Sequence, residues 1–298
     1  MGCFRNARNM PQLPRWKSKG NYPPLQGINK TTFMKYLLPL LILVFFACSN
    51  EQAAEETPQP VEVISKTLEK QSGDCDDPTP ESKCAEVKFS YPAINDDKHP
   101  LKEPVEMWAY SFMASLLDPT APAEEIPDDQ SLQHLFDDFF SMHKELVEEF
   151  PEAPAWYTVE SSDTVLLNDG KVLSLAMSGY SYTGGAHPNY ILAAASFDAQ
   201  TGRRIELSDV VSDLDALAKI AEQYYREEKA EAFEEGFDFD PDWPFVLPSA
   251  SALTAEGIYM AYMPYEVAPY AVGSAEFVIP FSEIKDLLKP AWQPKVVQ

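Results

Sequence analysis

The sequence predicts an α+β fold in which antiparallel meander sheets pack against a few amphipathic helices. Two observations support this class. Several strand-length segments are joined by short turns rich in Gly, Asn and Asp, which is typical of hairpins. The helical segments do not alternate strictly with the strands, as they would in a doubly wound α/β protein.

The N-terminal 47 residues predict an export signal. Residues 1–33 are basic and lack hydrophobic periodicity, so we interpret them as an upstream start-site artefact or a disordered stretch. Residues 34–47 have a lysine followed by a short apolar run, and Cys48 follows Ala47, which is typical of a bacterial lipoprotein signal peptide with Cys48 as the lipidated residue. A signal anchor with a cytoplasmic tail is less consistent with the run, because about 20 apolar residues are needed to span a bilayer.

Residues 48–74 are rich in Glu, Gln and Pro, which predicts a flexible acidic tether. Cys75 and Cys84 follow on either side of a proline-rich turn. In an exported chain, this pattern predicts a Cys75–Cys84 disulfide. A zinc site is disfavoured because acylation of Cys48 leaves no further thiol in the exported chain.

The elements that follow are predicted from apolar periodicity. The expected helices are 105–117, 132–150 and 214–233. The expected strands are 85–91, 156–167, 172–182, 190–197, 257–263 and 275–280, with Ile205 and Leu207 continuing the meander and Ser208 capping a short helical turn. Within the strand 172–182 we place Leu173, Leu175, Met177, Gly179 and Ser181 on one face, and we expect the apolar run 190–197 to be covered on both faces.

Two motifs carry a resemblance to a known family. The first is Tyr182-Thr183-Gly184-Gly185-Ala186-His187 followed by Phe197-Asp198-x-x-Thr201-Gly202, and the second runs from Leu253 through Pro264-Tyr265-Glu266 to Tyr270 and Gly273. Together they resemble the RsiV-like C-terminal domain, of the DUF3298 type, which often occurs beside a PdaC-type N-terminal domain of polysaccharide deacetylases.

The resemblance implies a domain layout and a function class. It implies a PdaC-like region over residues 75–180, an RsiV-like domain over 181–290 that ends in a helix at 281–288, and a tail over 291–298. RsiV-type proteins act as receptors for lysozyme, although the segment that binds a cytoplasmic sigma factor is not evident here. The deacetylase catalytic domain is also not evident, because no Asp and His set matches its metal site.

Three histidines and one acidic cluster are candidates for chemistry. His134 and His143 are nine positions apart and therefore lie on opposite faces of a helix, which disfavours a shared metal. His187 lies in a glycine turn, where a structural hydrogen bond is favoured over catalysis. Asp238, Asp240 and Asp242 imitate the start of a calcium loop, but Trp243 and Ser249 replace the required Gly and Glu, so a solvated loop is favoured over a weak cation site. We therefore expect no catalytic residues, no bound metal and no cofactor.

The remaining candidates are binding or structural residues in the two motifs, namely Tyr182, Gly184, Gly185, His187, Asn189, Tyr265, Glu266 and Tyr270. Tyrosines between prolines can form an interface, or the loop can plug one end of the sheet.

The net negative charge of the chain restricts the macromolecules that it can bind. The chain has 23 Lys and Arg against 47 Asp and Glu, a formal charge of −24. Cleavage after Ala47 would remove seven basic and no acidic residues, leaving a formal charge of −31. Such a surface disfavours nucleic acid and attracts basic proteins.

The sequence thus predicts a non-enzymatic lipoprotein of the bacterial cell envelope, attached to a membrane through its N-terminal lipid and facing the periplasm or the cell surface. Its ligand would be a lysozyme-like basic protein or a peptidoglycan-related molecule. The alternative is an accessory protein or enzyme that acts on envelope polysaccharide.

Overall fold

A computed structural model describes residues 58–76, 83–118, 129–152, 155–240 and 242–293, and its fold is α+β, as predicted. The strands are β1 (Val63–Gly73), β2 (Cys84–Ile94), β3 (Tyr157–Asn168), β4 (Val172–Tyr182), β5 (Asn189–Asp198), β6 (Arg204–Ile205), β7 (Ala250–Leu253), β8 (Gly257–Tyr262) and β9 (Ala275–Pro280). The helices are α1 (Lys102–Leu117), α2 (Asp129–Glu149), α3 (Leu207–Val210), α4 (Leu214–Glu228) and α5 (Ala230–Glu234).

The larger sheet contains β1 to β6 in sequence order. All its neighbouring strands are antiparallel except β2 and β3, which pair in parallel. Parallel neighbours need a crossover connection, and here α1 and α2 lie between the two strands in sequence. The larger sheet is thus mostly antiparallel, as predicted, and this parallel pair is its one departure from a meander.

Helices α1 and α2 cover one face of this sheet. The buried cluster between them contains Phe89 of β2, Val159 of β3 and Met177 of β4, together with Phe112 and Phe136 of the two helices. Gly179 lies on the same face because a Cβ atom there would come within 2.6 Å of Leu116. The predicted inward face of β4 is therefore the helix-covered face.

The smaller sheet, β7–β8–β9, packs on part of the opposite face of the larger one, where alanines of β5, β7 and β8 form a buried cluster. Two buried serines link the sheets. The Oγ atoms of Ser174 and Ser196 lie 2.8 Å apart, and the backbone N–H of Leu253 donates to the Ser196 Oγ at 2.8 Å. Helix α4 packs on the smaller sheet through Leu217, Ala221 and Tyr225.

Several predicted boundaries are wrong. Residues 63–73, assigned to the tether, form β1, because Leu68 packs against the helix-covered core and every residue of the strand pairs with β2. The strand β7 was not predicted. Leu207 begins α3 instead of extending a strand, and Glu206, not Ser208, caps that helix through a reciprocal hydrogen-bonded pair with Asp209.

Two predicted helices also differ from the structure. The helix expected over 214–233 ends at Glu228 and resumes at Ala230, because the chain bends at Lys229. The expected helix over 281–288 is a series of turns, in which Glu283, Ile284 and Leu287 each donate to the carbonyl three residues earlier. Such single-turn bonds bring Phe281, Ile284 and Leu288 into the core of the smaller sheet without forming a regular helix.

The first described residues of the chain, 58–61, lie against the turn between β3 and β4. The Asn168 side chain accepts from the N–H of Val61 at 2.9 Å and donates to the carbonyl of the same residue at 2.8 Å. Gly170, in the turn, has φ +80°, and a Cβ atom there would overlap the carbonyl oxygens of Pro58 and Gln59. A disulfide joins Cys75 to Cys84 at the end of the β1–β2 hairpin, as the sequence predicts.

The predicted start-site artefact, the signal peptide and the lipidated Cys48 lie outside the described residues. Among the helices that the structure describes, none has both the length and the apolar character required to cross a membrane.

Candidate functional site

The two sequence motifs meet at one end of the larger sheet and form a groove. The groove has a volume of about 440 Å³ and lies between the start of β5, the end of α1 and the turn after β8. We call it the tyrosine groove; its lining residues are Ser115, Ser181, Asn189, Tyr190, Ile191, Met263, Pro264, Tyr265 and Glu266. Asn189, Tyr265 and Glu266 were among the candidates selected from the sequence, although they come from motifs more than 70 residues apart.

The turn over residues 263–268 forms one wall and is held by backbone and carboxylate hydrogen bonds. The carboxylate of Glu266 accepts from the N–H of Ser249 at 2.7 Å and from that of Met263 at 3.1 Å. The N–H of Tyr265 donates to the carbonyl of Ala268 at 2.9 Å. Glu266 therefore organises the turn, and both of its carboxylate oxygens are already engaged.

Tyr265 lies at the tip of this turn in an unusual conformation. Its φ is +71°, and it is the one described residue other than glycine with a positive φ. The left-handed region costs a residue with a Cβ about 1–2 kcal/mol. Its side chain is nevertheless 52% exposed, so burial of the ring does not offset this cost. Strain that the surrounding bonds maintain is a feature of ligand-binding loops.

The glycine turn before β5 lies beside this wall. The ring of His187 stacks on that of Tyr270, with the centroids 4.0 Å apart, and the Tyr270 hydroxyl donates to the Pro188 carbonyl at 2.9 Å. The rings of Tyr265 and Tyr270 are 5.8 Å apart. Tyr182 donates its hydroxyl to the Gly185 carbonyl at 3.2 Å.

Gly184 and Gly185 have φ of +91° and +97°, and apart from the glycine itself and its two chain neighbours no described atom lies within 4 Å of the position that a Cβ would take at either one. Their φ values, and not packing, therefore account for these two glycines.

Two tyrosines of the site were not selected from the sequence. Tyr180 of β4 and Tyr190 of β5 are cross-strand partners, and their rings meet edge to face at 5.4 Å. Burial raises the pKa of the Tyr180 hydroxyl above its ordinary value, and burial likewise raises that of Tyr270. The prediction that β5 is covered on both faces is wrong at this end, because the smaller sheet covers Ala194 but leaves Tyr190 46% exposed.

The histidine and the glutamate of the site are both engaged with the backbone. The Nδ1 atom of His187 lies 3.1 Å from the Pro188 carbonyl oxygen, which matches the structural hydrogen bond expected for this residue. Within the part of the chain that the structure describes, no three His, Cys, Asp or Glu side chains are grouped as a metal site. The site therefore presents aromatic side chains and a strained turn to a ligand. Its glutamate and histidine, Glu266 and His187, make hydrogen bonds to the protein backbone.

The other sequence candidates lie elsewhere. His134 is exposed on α2, whereas His143 is buried and its Nε2 lies 2.7 Å from the Ala155 carbonyl oxygen. In the acidic loop, Asp238 accepts from Arg226 and from the N–H of Phe239, and Asp240 accepts from the N–H of Asp242. The Arg226 guanidinium is 4.6 Å from the ring centroid of Phe233 and 4.7 Å from that of Phe239. These contacts stabilise the loop.

Fold and site together define a two-sheet α+β protein with a tyrosine-lined surface groove. Comparison with known families gives two matches: residues 79–190 match the family model described as "Deacetylase PdaC", and residues 208–282 match "Protein of unknown function (DUF3298)". These agree with the resemblance seen in the sequence motifs. No curated protein matches the chain.

Two crystal structures of DUF3298 family proteins share the fold. One, from Bacteroides fragilis NCTC 9343, is 19% identical with a TM-score of 0.57, and the similarity covers 81% of this chain and 98% of that one. The other, from Pseudomonas aeruginosa PAO1, is 20% identical with a TM-score of 0.54, covering 78% and 97% respectively. At these identities the similarity establishes the fold.

Proposed function

We propose that this chain is a non-enzymatic lipoprotein of the cell envelope that binds a basic protein partner of the lysozyme type in the tyrosine groove. The observation that carries the proposal is the display of Tyr190 and Tyr265 on a preorganised surface. Exposed tyrosines supply large contact area at a low cost in conformational entropy, and they are frequent among the residues that dominate binding energy. The matches to the two family models support a role in the envelope.

Charge supports a basic partner. The formal charge of the chain is −24, and it becomes more negative if the basic N-terminal 47 residues are removed. A strongly acidic surface accelerates encounter with a basic protein and makes the association sensitive to salt.

The engagement of Glu266 and His187 in backbone contacts supports a binding role over a catalytic one. A general acid or base has to be within hydrogen-bond reach of a substrate proton. Here both oxygens of Glu266 already accept from N–H groups of the scaffold.

The test is a titration of hen egg-white lysozyme into the purified full chain by calorimetry. We expect binding at low salt, weakening as salt rises, and a loss of about tenfold or more in affinity for Tyr265→Asn, which corresponds to about 1.4 kcal/mol. Asparagine tolerates the left-handed conformation, so this change removes the ring and keeps the turn. The control is Met142→Ala, which shortens an exposed side chain on α2. Absence of binding at low salt would refute the proposal, and so would equal losses in both variants.

A peptidoglycan-related ligand is the second candidate. The flat face of the stacked His187 and Tyr270 pair would also suit a sugar ring. Binding of soluble peptidoglycan fragments in the same titration, with no response to lysozyme, would favour this ligand. Release of acetate from those fragments would favour the enzymatic alternative.

A further inference from the structure

The outer edge of β5 is open along the tyrosine groove. The directions of its backbone groups follow from two hydrogen bonds at its far end. The N–H of Asp198 donates to the Arg203 carbonyl on the β6 side, whereas the N–H of Ala199 donates to the Lys171 carbonyl on the β4 side. Because the pairing of β4 with β5 runs without a register shift, backbone groups alternate strictly between the two sides. The N–H and C=O groups of Tyr190, Leu192 and Ala194 therefore point away from β4.

This open edge is bounded at both ends. At the start, the outward carbonyl of Pro188 accepts the hydroxyl of Tyr270. At the far end, β6 pairs with Ser196 and Phe197 and with no other residue of β5. Between these points, no backbone hydrogen bond to any described residue is made on the outer side of Tyr190 or Leu192.

The start of this edge, at Tyr190, also lines the groove. Asn189, Tyr190 and Ile191 line it, and the turn carrying Tyr265 lies opposite. In that turn the N–H groups of Met263, Tyr265 and Glu266 already donate to acceptors within the turn itself. Ala194 is only 2% exposed, which limits the accessible part of the edge to the segment around Tyr190 and Leu192.

We propose that the groove receives an extended basic peptide segment of the partner, which adds to the larger sheet as a strand alongside β5. The proposal rests on the function proposed above and specifies how the partner is recognised. A strand edge presents alternating N–H and C=O groups that the backbone of an extended peptide matches, and its side chains then occupy the flanking pockets. The acidic character of the chain selects a basic segment.

The first test uses a peptide probe, the acetylated and amidated hexapeptide Lys-Val-Lys-Val-Lys-Val, followed by residue-resolved amide exchange of the full chain. With saturating peptide, we expect the amide exchange of Tyr190 and Leu192 to slow about tenfold or more, as new backbone hydrogen bonds form. The same hexapeptide N-methylated at every residue is the matched control, and it should bind at least about tenfold more weakly. Unchanged exchange at both amides, or equal binding of the methylated peptide, would overturn the proposal.

The second test uses two variants at one position. Leu192→Pro removes an N–H that points away from β4, and proline is tolerated at such positions of edge strands. Leu192→Ala shortens the side chain but keeps that N–H. We expect the proline variant to lose hexapeptide binding about tenfold while the alanine variant keeps it.

Amide exchange of the unchanged chain with and without peptide gives a readout that does not depend on the folding of the proline variant. If lysozyme binds but both amides exchange freely, strand addition is refuted and the proposed function stands. If lysozyme fails to bind in the calorimetric titration, the proposed function falls, whatever the hexapeptide does.

Discussion

The two ends of β5 are built in opposite ways, although a turn with a positive-φ glycine lies next to each. At the far end, Gly202 has φ +73°, and a Cβ there would lie 2.2 Å from the Pro100 carbonyl oxygen. Asp198 holds this turn by accepting from the N–H groups of Gln200 and Thr201. At the near end, Gly184 and Gly185 have open space beside them. The turn at Gly202 is therefore packed against neighbouring backbone, whereas the turn at Gly184 and Gly185 is exposed to solvent.

The comparison shows that glycine is required for tight packing at one end of β5 and only for backbone conformation at the other. At the packed end, the neighbours of Gly202 require both its φ and its small size. At the groove end, the turn carries His187 and leads into Tyr190, whose ring remains half exposed. A substitution at Gly202 should therefore cost more stability than one at Gly184, whereas substitutions of the exposed groove residues should change binding.

The largest expected effect is at Gly202. Gly202→Ala forces a Cβ onto a backbone oxygen and keeps the left-handed φ, so we expect a loss of about 2–5 kcal/mol in the free energy of unfolding. Chemical denaturation monitored by circular dichroism measures it. A loss below that of Gly184→Ala would contradict the contrast between the two turns.

Ser196, also at the packed end, comes next. Ser196→Ala leaves the buried N–H of Leu253 without its acceptor, which should cost about 1–3 kcal/mol. The matched control is Ser162→Ala, because Ser162 makes a similar hydroxyl contact to Ser178 at 2.8 Å but is exposed. Equal losses in the two variants would show that burial of the Leu253 amide is not the cause.

At the groove end, Gly184→Ala should cost about 1–2 kcal/mol, since the strained φ contributes but no clash does. Gly184→Asn, which tolerates a positive φ better, should recover part of that loss. Denaturation midpoints of the two variants test this. A loss as large as that of Gly202→Ala would mean that this turn packs more tightly than the structure shows.

The smallest effect concerns pH at the packed end. A hydrogen bond from Arg203, followed by one from the Glu206 backbone, lowers the pKa of Asp209 below its ordinary value. A depressed carboxyl pKa adds stability above the unfolded value near 3.9, and that stability is lost as the pH falls through the folded value. Asp209→Asn should therefore flatten the fall in melting temperature below about pH 4. A parallel fall in both proteins would contradict it.

The sequence predicts those parts of the fold and of the groove that depend on contacts between residues close together in the chain. The hairpin turns at Gly170 and Gly202, and the strand and helix types from residue 85 to 198, follow from local periodicity and turn chemistry. The two motifs also selected Asn189, Tyr265 and Glu266, which the fold brings into one groove.

The rest could not be predicted because it depends on partners that are distant in sequence. The apolar run of β5 predicts full burial, but the smaller sheet covers only part of it and leaves Tyr190 exposed. β1 has a mixed composition, and only its pairing with β2 makes it a strand. The conformation of Tyr265 depends on Glu266 reaching the N–H of Ser249, 17 residues away.

The two hydrogen bonds between the Asn168 side chain and the Val61 backbone determine where the N-terminal part of the described chain lies relative to the groove. They fix the N-terminal entry of the chain at the β3–β4 hairpin, whereas the tyrosine groove lies at the other end of β4, about 35 Å away for a strand of 11 residues. If the chain is attached to a membrane through its N-terminus, as proposed above, the groove is at the end of β4 opposite the point where the described chain begins.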